Sequence, residues 1–342
     1  MPRPTDVPSY ESLLARTDVP PGSSWGLFGA DDEIGTLNFL APEQRVRAAG
    51  LVRSGRTFSL DLPLDAFPQP LIPHRGALQH SVFGLNEFHR DDRIDNLFPQ
   101  ATSQIDGLRH FGHPDHGFYN HADPQRLIAG DPLLGVQRFA EHGIVGRGVL
   151  LDVERHLARR GEPIDHADPQ PVPAQVLEET AVHQGVDLEP GDILLIRFGW
   201  LGHRFAQLRD ASNAGDVDAT SEAPVPLVSV GLEASHETAA WLWDHRVAVA
   251  AADNVALEAW PATASALRVR AELDGTLPAS SHTGMLHRIL IPMLGLVIGE
   301  LWQLDELADT CAAEGRYDFM VVATPLKLPG GVGSPANAVA IL

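Results

Sequence analysis

Two short apolar runs, each opened by a glycine-bearing turn, constrain this chain most. One is Ile144-Val-Gly-Arg-Gly-Val149-Leu-Leu-Asp152; the other is Glu189-Pro-Gly-Asp192-Ile-Leu-Leu-Ile-Arg197. Runs this short and continuous read as buried strands, because a buried helix needs about ten residues or more. Between them, Pro173 to Gln184 places Val176, Leu177, Thr180 and Ala181 at helical spacing. Leu232 to His245 reads as an amphipathic helix, and Val247 to Ala252 as a strand ending at Asp253-Asn254. Strands alternating with helices predict a mixed α/β chain. Functional groups gather at strand ends in such folds, so Asp253 is either a site wall or a capping carboxylate.

The flanking segments fill in this frame. Residues 1 to about 40 read as an irregular arm with Trp25 and Phe28 as aromatic anchors, and 41 to 342 as the α/β domain. Ala41 to Leu51 predicts a short helix with Pro42 in its first turn. Thr57 to Leu64 alternates as a strand, 65 to 80 is a Pro-rich loop carrying His74 and His80, and His89 to Asn96 is a charged turn. Gly315 to Lys327 is a closing strand.

Composition narrows the function classes. A formal charge of −20 argues against nucleic acid or an anionic membrane surface as partner. A single cysteine, Cys311, excludes an internal disulfide and fits a reducing compartment. The first residues lack the apolar core of a signal peptide, and stretches such as Leu290 to Ile298 are too short to span a bilayer. The expectation is a cytoplasmic protein acting on a small molecule. Neither a Gly-x-Ser-x-Gly elbow nor a phosphate-binding glycine motif occurs.

The chemistry concentrates in Gln100-Ala-Thr-Ser-Gln104-Ile-Asp106-Gly-Leu-Arg109-His110-Phe-Gly-His113. As an extended strand, this run points Gln100, Gln104, Asp106 and His110 to one face. As a helix it still brings Asp106 to His110, four residues on. A carboxylate set against an imidazole suits a metal ligand set or a general-base dyad, though it also suits a turn whose histidine is merely hydrogen-bonded. Gly112, Pro114 and Gly117 break any regular face for His113 and His116, which are read as loop residues. Arg109, Tyr119 and Asn120 join Gln100 as candidate substrate contacts by proximity. Further on, His287 opens an apolar run and Glu300 closes one, both out of place unless paired or capping.

The central run resembles the signature His-x-Gly-Thr-His-x-Asp-x-Pro-x-His of the cyclase family, the group containing bacterial kynurenine formamidase and isatin hydrolase. Asp106 and His110 match its Asp and last His, while Gln100 and Gln104 stand where it has two other histidines. Gly146-Arg-Gly-Val-Leu-Leu-Asp152, Pro190-Gly-Asp-Ile-Leu-Leu-Ile-Arg197 and Pro325-Leu-x-x-x-Gly330-Gly-x-Gly333-Ser-Pro335 echo further family text. The resemblance implies a swivelling β/β/α-type single domain with a mixed sheet, assembled as a homodimer or homotetramer. It also implies a zinc or manganese site that hydrolyses amides, lactams or related bonds. Asp106, Gln104, His287 and Glu300 would then be ligands and His110 the general acid/base. Carboxamide oxygen is a weaker, harder donor than imidazole, which favours manganese or no metal. Without metal, an Asp106–His110 dyad would suit a cyclase or lyase, and a non-catalytic binder would keep only the pocket.

Overall fold

The computed structural model describes residues 6–213, 227–262, 267–280 and 282–342. Its strands in chain order are β1 (Thr57–Ser59), β2 (Gln79–Gly84), β3 (Arg90–Asp95), β4 (Gln104–Asp106), β5 (Ile144–Asp152), β6 (Pro171–Val172) and β7 (Ile193–Arg197). There follow β8 (Gly231–Leu232), β9 (Val249–Ala252), β10 (Val297–Glu300), β11 (Asp318–Ala323), β12 (Gly333–Pro335) and β13 (Ala338–Ile341). Among the described residues nine of them form one sheet in the order β1-β13-β11-β5-β7-β9-β10-β4-β12.

The centre of this sheet, β5-β7-β9-β10, is parallel, and the strands outside it pair antiparallel. Parallel strands are covered on both faces, which is why β7 and β9 read as unbroken apolar runs and are buried. Helices Ala174–Gln184, Trp200–Asn213 and His236–Asp244 lie in the connections between them. The result is a mixed α/β domain with one large curled sheet.

Several elements differ from their predicted extents. Leu60 N–H still bonds the Ala338 carbonyl, but Leu62 N–H turns to Ser103 Oγ and Pro63 has none to give, so β1 stops early. The helix expected from Leu232 starts at His236 instead, because Ser235 Oγ caps it by accepting from Thr238 N–H. The charged stretch from His89 is one limb of a hairpin, β3 paired with β2, with both faces exposed and His80 held to Asp92 at 2.8 Å.

Residues 6–40 are tied to the body by specific groups. Helix Tyr10–Leu14 meets helix His236–Asp244 through a 2.8 Å bond from Tyr10 Oη to His236 Nδ1. Trp25 is buried and its indole N–H donates to the Pro292 carbonyl at 2.6 Å. Cys311 is buried in helix Asp305–Glu314, and burial pushes its thiol up to about 12, leaving no nucleophile. No helix among the described residues is long and apolar enough to cross a membrane.

Candidate metal centre

The site forms where β4 is held between β10 and β12. Register sets Gln104 opposite Glu300, Asp106 opposite Ile298, and Gly333 opposite Asp106 from the other side. Cross-strand partners share a face, as do alternate residues, so Gln104, Asp106 and Glu300 project together. Trp302 locks the register: its indole lies across Gly299, where a Cβ would stand 2.6 Å from Nε1, and donates to the Gln104 carbonyl at 2.9 Å. His287 enters from the start of the short helix His287–Leu290, which leads into β10. All four side chains are buried.

One ligand atom each from Asp106, His287 and Glu300 lies within 4.8 Å of the others. His287 Nε2 is 3.1 Å from Glu300 Oε1 and 3.8 Å from Asp106 Oδ2. Its Nδ1 sits 2.9 and 2.8 Å from the two oxygens of Glu258. A carboxylate only accepts, so Nδ1 carries a proton toward Glu258, and Nε2, 3.1 Å from Glu300, carries the one that a cation would displace. This is how a metal-binding imidazole is held by its outer partner. Burial disfavours a charged ring, but Glu258 first and Glu300 second outweigh it and hold the His287 pKa well above the usual imidazole value.

The oxygens facing Nε2 are unusual. Gln104 Nε2 donates to Glu300 Oε2, yet Gln104 Oε1 and both oxygens of Asp106 are buried without a hydrogen-bond partner among the described residues. Buried polar atoms are almost always satisfied, and a bare carboxylate is among the costliest exceptions. Burial accordingly drives the Asp106 pKa up; His110 opposes this and Glu300 adds to it. Three orphaned oxygens, a second carboxylate and one imidazole nitrogen form a donor set suited to a divalent cation. The residues present fit the metal that the resemblance implied.

The other predicted site residues divide. His110 is not on the strand: it follows a turn in which its N–H bonds the Gly107 carbonyl at 2.9 Å. It reaches back to put Nε2 3.8 Å from Asp106 Oδ2, with its side chain 24% exposed. Gln100 is not on the strand either, because Pro99 opens a 3-10 turn, Pro99–Ala101, and breaks the extended reading. Its side chain lies against Gly333. Arg109 donates to the carbonyls of Asp131 and Ile128 at 2.8 and 3.2 Å. Tyr119 is buried with its hydroxyl on Asp32, 2.9 Å away. Asn120 clasps the arm, accepting from Gly26 N–H and donating to the carbonyls of Gly29 and Ala30. Asp253 takes the capping role, accepting from Phe198 and Gly199 N–H at 2.8 Å each.

Two residues escaped sequence reasoning. Glu258 is fully buried in the apolar stretch Val255-Ala-Leu-Glu-Ala, the same misplaced-carboxylate signal that singled out Glu300. Arg75, in the Pro-rich loop, donates through Nη1 to the Gln100 carbonyl. Phe111 closes the group, its ring 5.3 Å from that of His287 and 5.4 Å from that of His282.

Comparison with known proteins agrees with this architecture. The sequence profile of the Cyclase family matches residues 59–259. A crystal structure described as a novel cyclase is 32% identical with a TM-score of 0.75, over 94% of this chain and 99% of that one. Isatin hydrolase A from Labrenzia aggregata, solved with benzyl benzoate, is 16% identical with a TM-score of 0.52, over 86% and 94% of the two chains. Isatin hydrolase A from Ralstonia solanacearum is 16% identical with a TM-score of 0.53, over 86% and 95%. At that identity the isatin hydrolases share the fold. No curated protein sequence matches.

Proposed function

Because the chain belongs to the cyclase family, we propose that it is a metal-dependent hydrolase of a C–N or C–O bond in a small cyclic or aryl amide, lactam or lactone. The observation that carries this reading is the set of orphaned oxygens on Asp106 and Gln104, facing Glu300 and His287 Nε2. The fold neighbours named as isatin hydrolases support a ring amide as the substrate class.

Asp106, Gln104, His287 and Glu300 would hold a zinc or manganese ion. Such an ion, when bound, lowers the pKa of water toward neutrality and polarises a carbonyl. The chain's own groups do the rest. Glu258 holds a proton on His287 Nδ1, which leaves Nε2 as the nitrogen that a cation would take. Phe111 packs its ring against those of His287 and His282. His110 is partly exposed beside Asp106, where it can hold the proton given up by the attacking water and return it to the leaving atom. Water oxygen joins the acyl carbon, the acyl–N or acyl–O bond breaks, and the proton ends on the departing nitrogen or oxygen.

We also propose a homodimer or homotetramer. The β2–β3 hairpin supports it: isolated two-stranded ribbons are marginal in water, and this one exposes Val82, Phe83, Leu85, Phe88 and Ile94. Light scattering on the purified chain measures that state directly.

The catalytic reading is tested by elemental analysis of untagged protein purified without added metal. About one zinc or manganese per chain is expected, lost in Asp106→Ala and Glu300→Ala. A metal-free protein that gains no thermal stability from either ion overturns it and leaves the Asp106–His110 dyad as the working chemistry.

A further inference from the structure

The loop between β1 and β2 brings one guanidinium to the edge of the cluster. Arg75 is half-buried, and its contact with the Gln100 carbonyl anchors it to the Pro99–Ala101 turn. That turn in turn lies against β12: a Cβ on Gly333 would stand 2.7 Å from the Gln100 amide nitrogen, so only glycine lets the two meet. Gly333 is the β12 partner of Asp106. Two contacts and one strand pairing thus tie the Arg75 loop to the strand that carries Asp106. Burial lowers the Arg75 pKa, and the charges of Glu300 and then Asp106 resist that.

What Arg75 lacks is a partner for its fork. Among the described residues its guanidinium forms no ion pair, and the Gln100 carbonyl is that group's one hydrogen-bond acceptor. Arg197 shows the contrast, meeting Glu154, Asp305 and Asp152 at 2.6, 2.7 and 2.9 Å. A guanidinium carries five N–H donors in a planar fork that matches a carboxylate two-to-two. The charges around it also balance. Asp106, Glu258 and Glu300 contribute three negative charges; a divalent ion and Arg75 contribute three positive, with His287 neutral. An incoming anion would meet no net negative field.

We propose that Arg75 forms a carboxylate-binding subsite beside the metal centre, receiving the acid that hydrolysis releases and any carboxylate the substrate already carries. This rests on the hydrolase reading, since cleaving an amide, lactam or lactone always leaves a carboxylate.

The test needs no substrate. Benzoate and the neutral benzamide are titrated calorimetrically into wild type, Arg75→Gln and Arg75→Lys, each metal-loaded and chelator-treated, with melting curves confirming that the variants fold. Wild type should bind benzoate saturably, more tightly when metal-loaded than after chelation, and more weakly as salt is added. Arg75→Gln should bind it roughly ten- to a hundredfold more weakly, the usual loss for a charged hydrogen bond. Arg75→Lys should restore part of that, and benzamide should be indifferent to all three. The subsite is overturned if Arg75→Gln binds benzoate as wild type does, if wild type prefers benzamide, or if wild type shows no saturable benzoate binding. Metal content separates the two claims. Bound metal with Arg75-independent benzoate binding removes the subsite and keeps the hydrolase; Arg75-dependent binding by a chain that takes no metal does the reverse.

Discussion

Two acidic clusters lie along the same edge of the sheet, and they differ in one respect. At the ends of β5, β7 and β9, Asp152 accepts from Arg155 Nε at 2.7 Å and Arg197 Nη1 at 2.9 Å, while Asp253 accepts two backbone N–H groups at 2.8 Å. One strand further, at β10 and β4, both oxygens of Asp106 are buried and have no donor. Both sets are carboxylate-rich and out of water. In the first, arginines and backbone amides complete every acid, so the cluster is a brace holding loops to strand ends. In the second the completing partner must come from outside. Donor count, rather than burial or acidity, separates structural from ligand-binding carboxylates here.

The same substitution on the two sides should give opposite results, and this is the largest effect expected. Asp106→Asn should weaken metal binding by more than about 100-fold, beyond the loss typical of an outer-sphere partner. It should leave the melting temperature of metal-free protein unchanged or raised, since it removes an uncompensated buried charge. Asp253→Ala should keep the metal and lose stability. It strands the N–H groups of Phe198 and Gly199, at about 1–3 kcal/mol for each unsatisfied group. The unfolding measurement belongs at a pH above the value of about 7 to which burial lifts the Asp253 carboxyl. Equal effects of the two substitutions on metal content would break the comparison.

Glu258 sharpens it at smaller scale. This carboxylate has a partner, His287 Nδ1, and acts on the site only through that ring. Glu258→Gln should lower metal affinity by about 10- to 100-fold without abolishing it, the usual cost of losing a ligand's orienting acid. Competition against a chromophoric chelator measures this. A loss as complete as that of Asp106→Asn would make Glu258 a ligand in its own right.

These residues also mark how far the sequence could be read. His287 and Glu300 were legible because each is a charged group in surroundings too apolar to hold it alone, and Asp106 because it shares a polar run with His110 that resembles the family signature. Glu258 carried the same signal in Val255-Ala-Leu-Glu-Ala and was overlooked between a strand end and Trp260-Pro261. Arg75 carried none: it sits in an aperiodic Pro-rich loop, and its meaning lies in a contact with Gln100 twenty-five residues away. The apolar runs of β5, β7 and β9 announced themselves through unbroken burial. Gln100 and His110 were placed on a common strand because alternation assumes an extended backbone, and the turns at Pro99 and Gly107 end it on both sides. Arg109, Tyr119 and Asn120 were chosen by nearness in sequence, and in the structure their polar groups hold loops and the N-terminal arm.

The smallest effect concerns pH, and it keeps two acid-sensitive processes apart. His113, in the loop after the central run, stacks on His116 with ring centroids 4.7 Å apart and accepts the Asp115 N–H on Nδ1 at 3.1 Å. Burial first, and His116 second, lower its pKa from the ordinary 6.5 to about 4. Between those values the unfolded chain takes up a proton that the folded chain refuses, so stability falls as pH drops from about 6.5 toward about 4. Metal release from protonating carboxylates would fall in the same range and look alike in a melting curve. His113→Gln removes only the first process. The variant's melting temperature should decline less on acidification than that of wild type, while metal loss, followed with an indicator dye, keeps its wild-type midpoint. If the two proteins decline in parallel, the acid sensitivity belongs to the carboxylate cluster, and the loop takes no part in it.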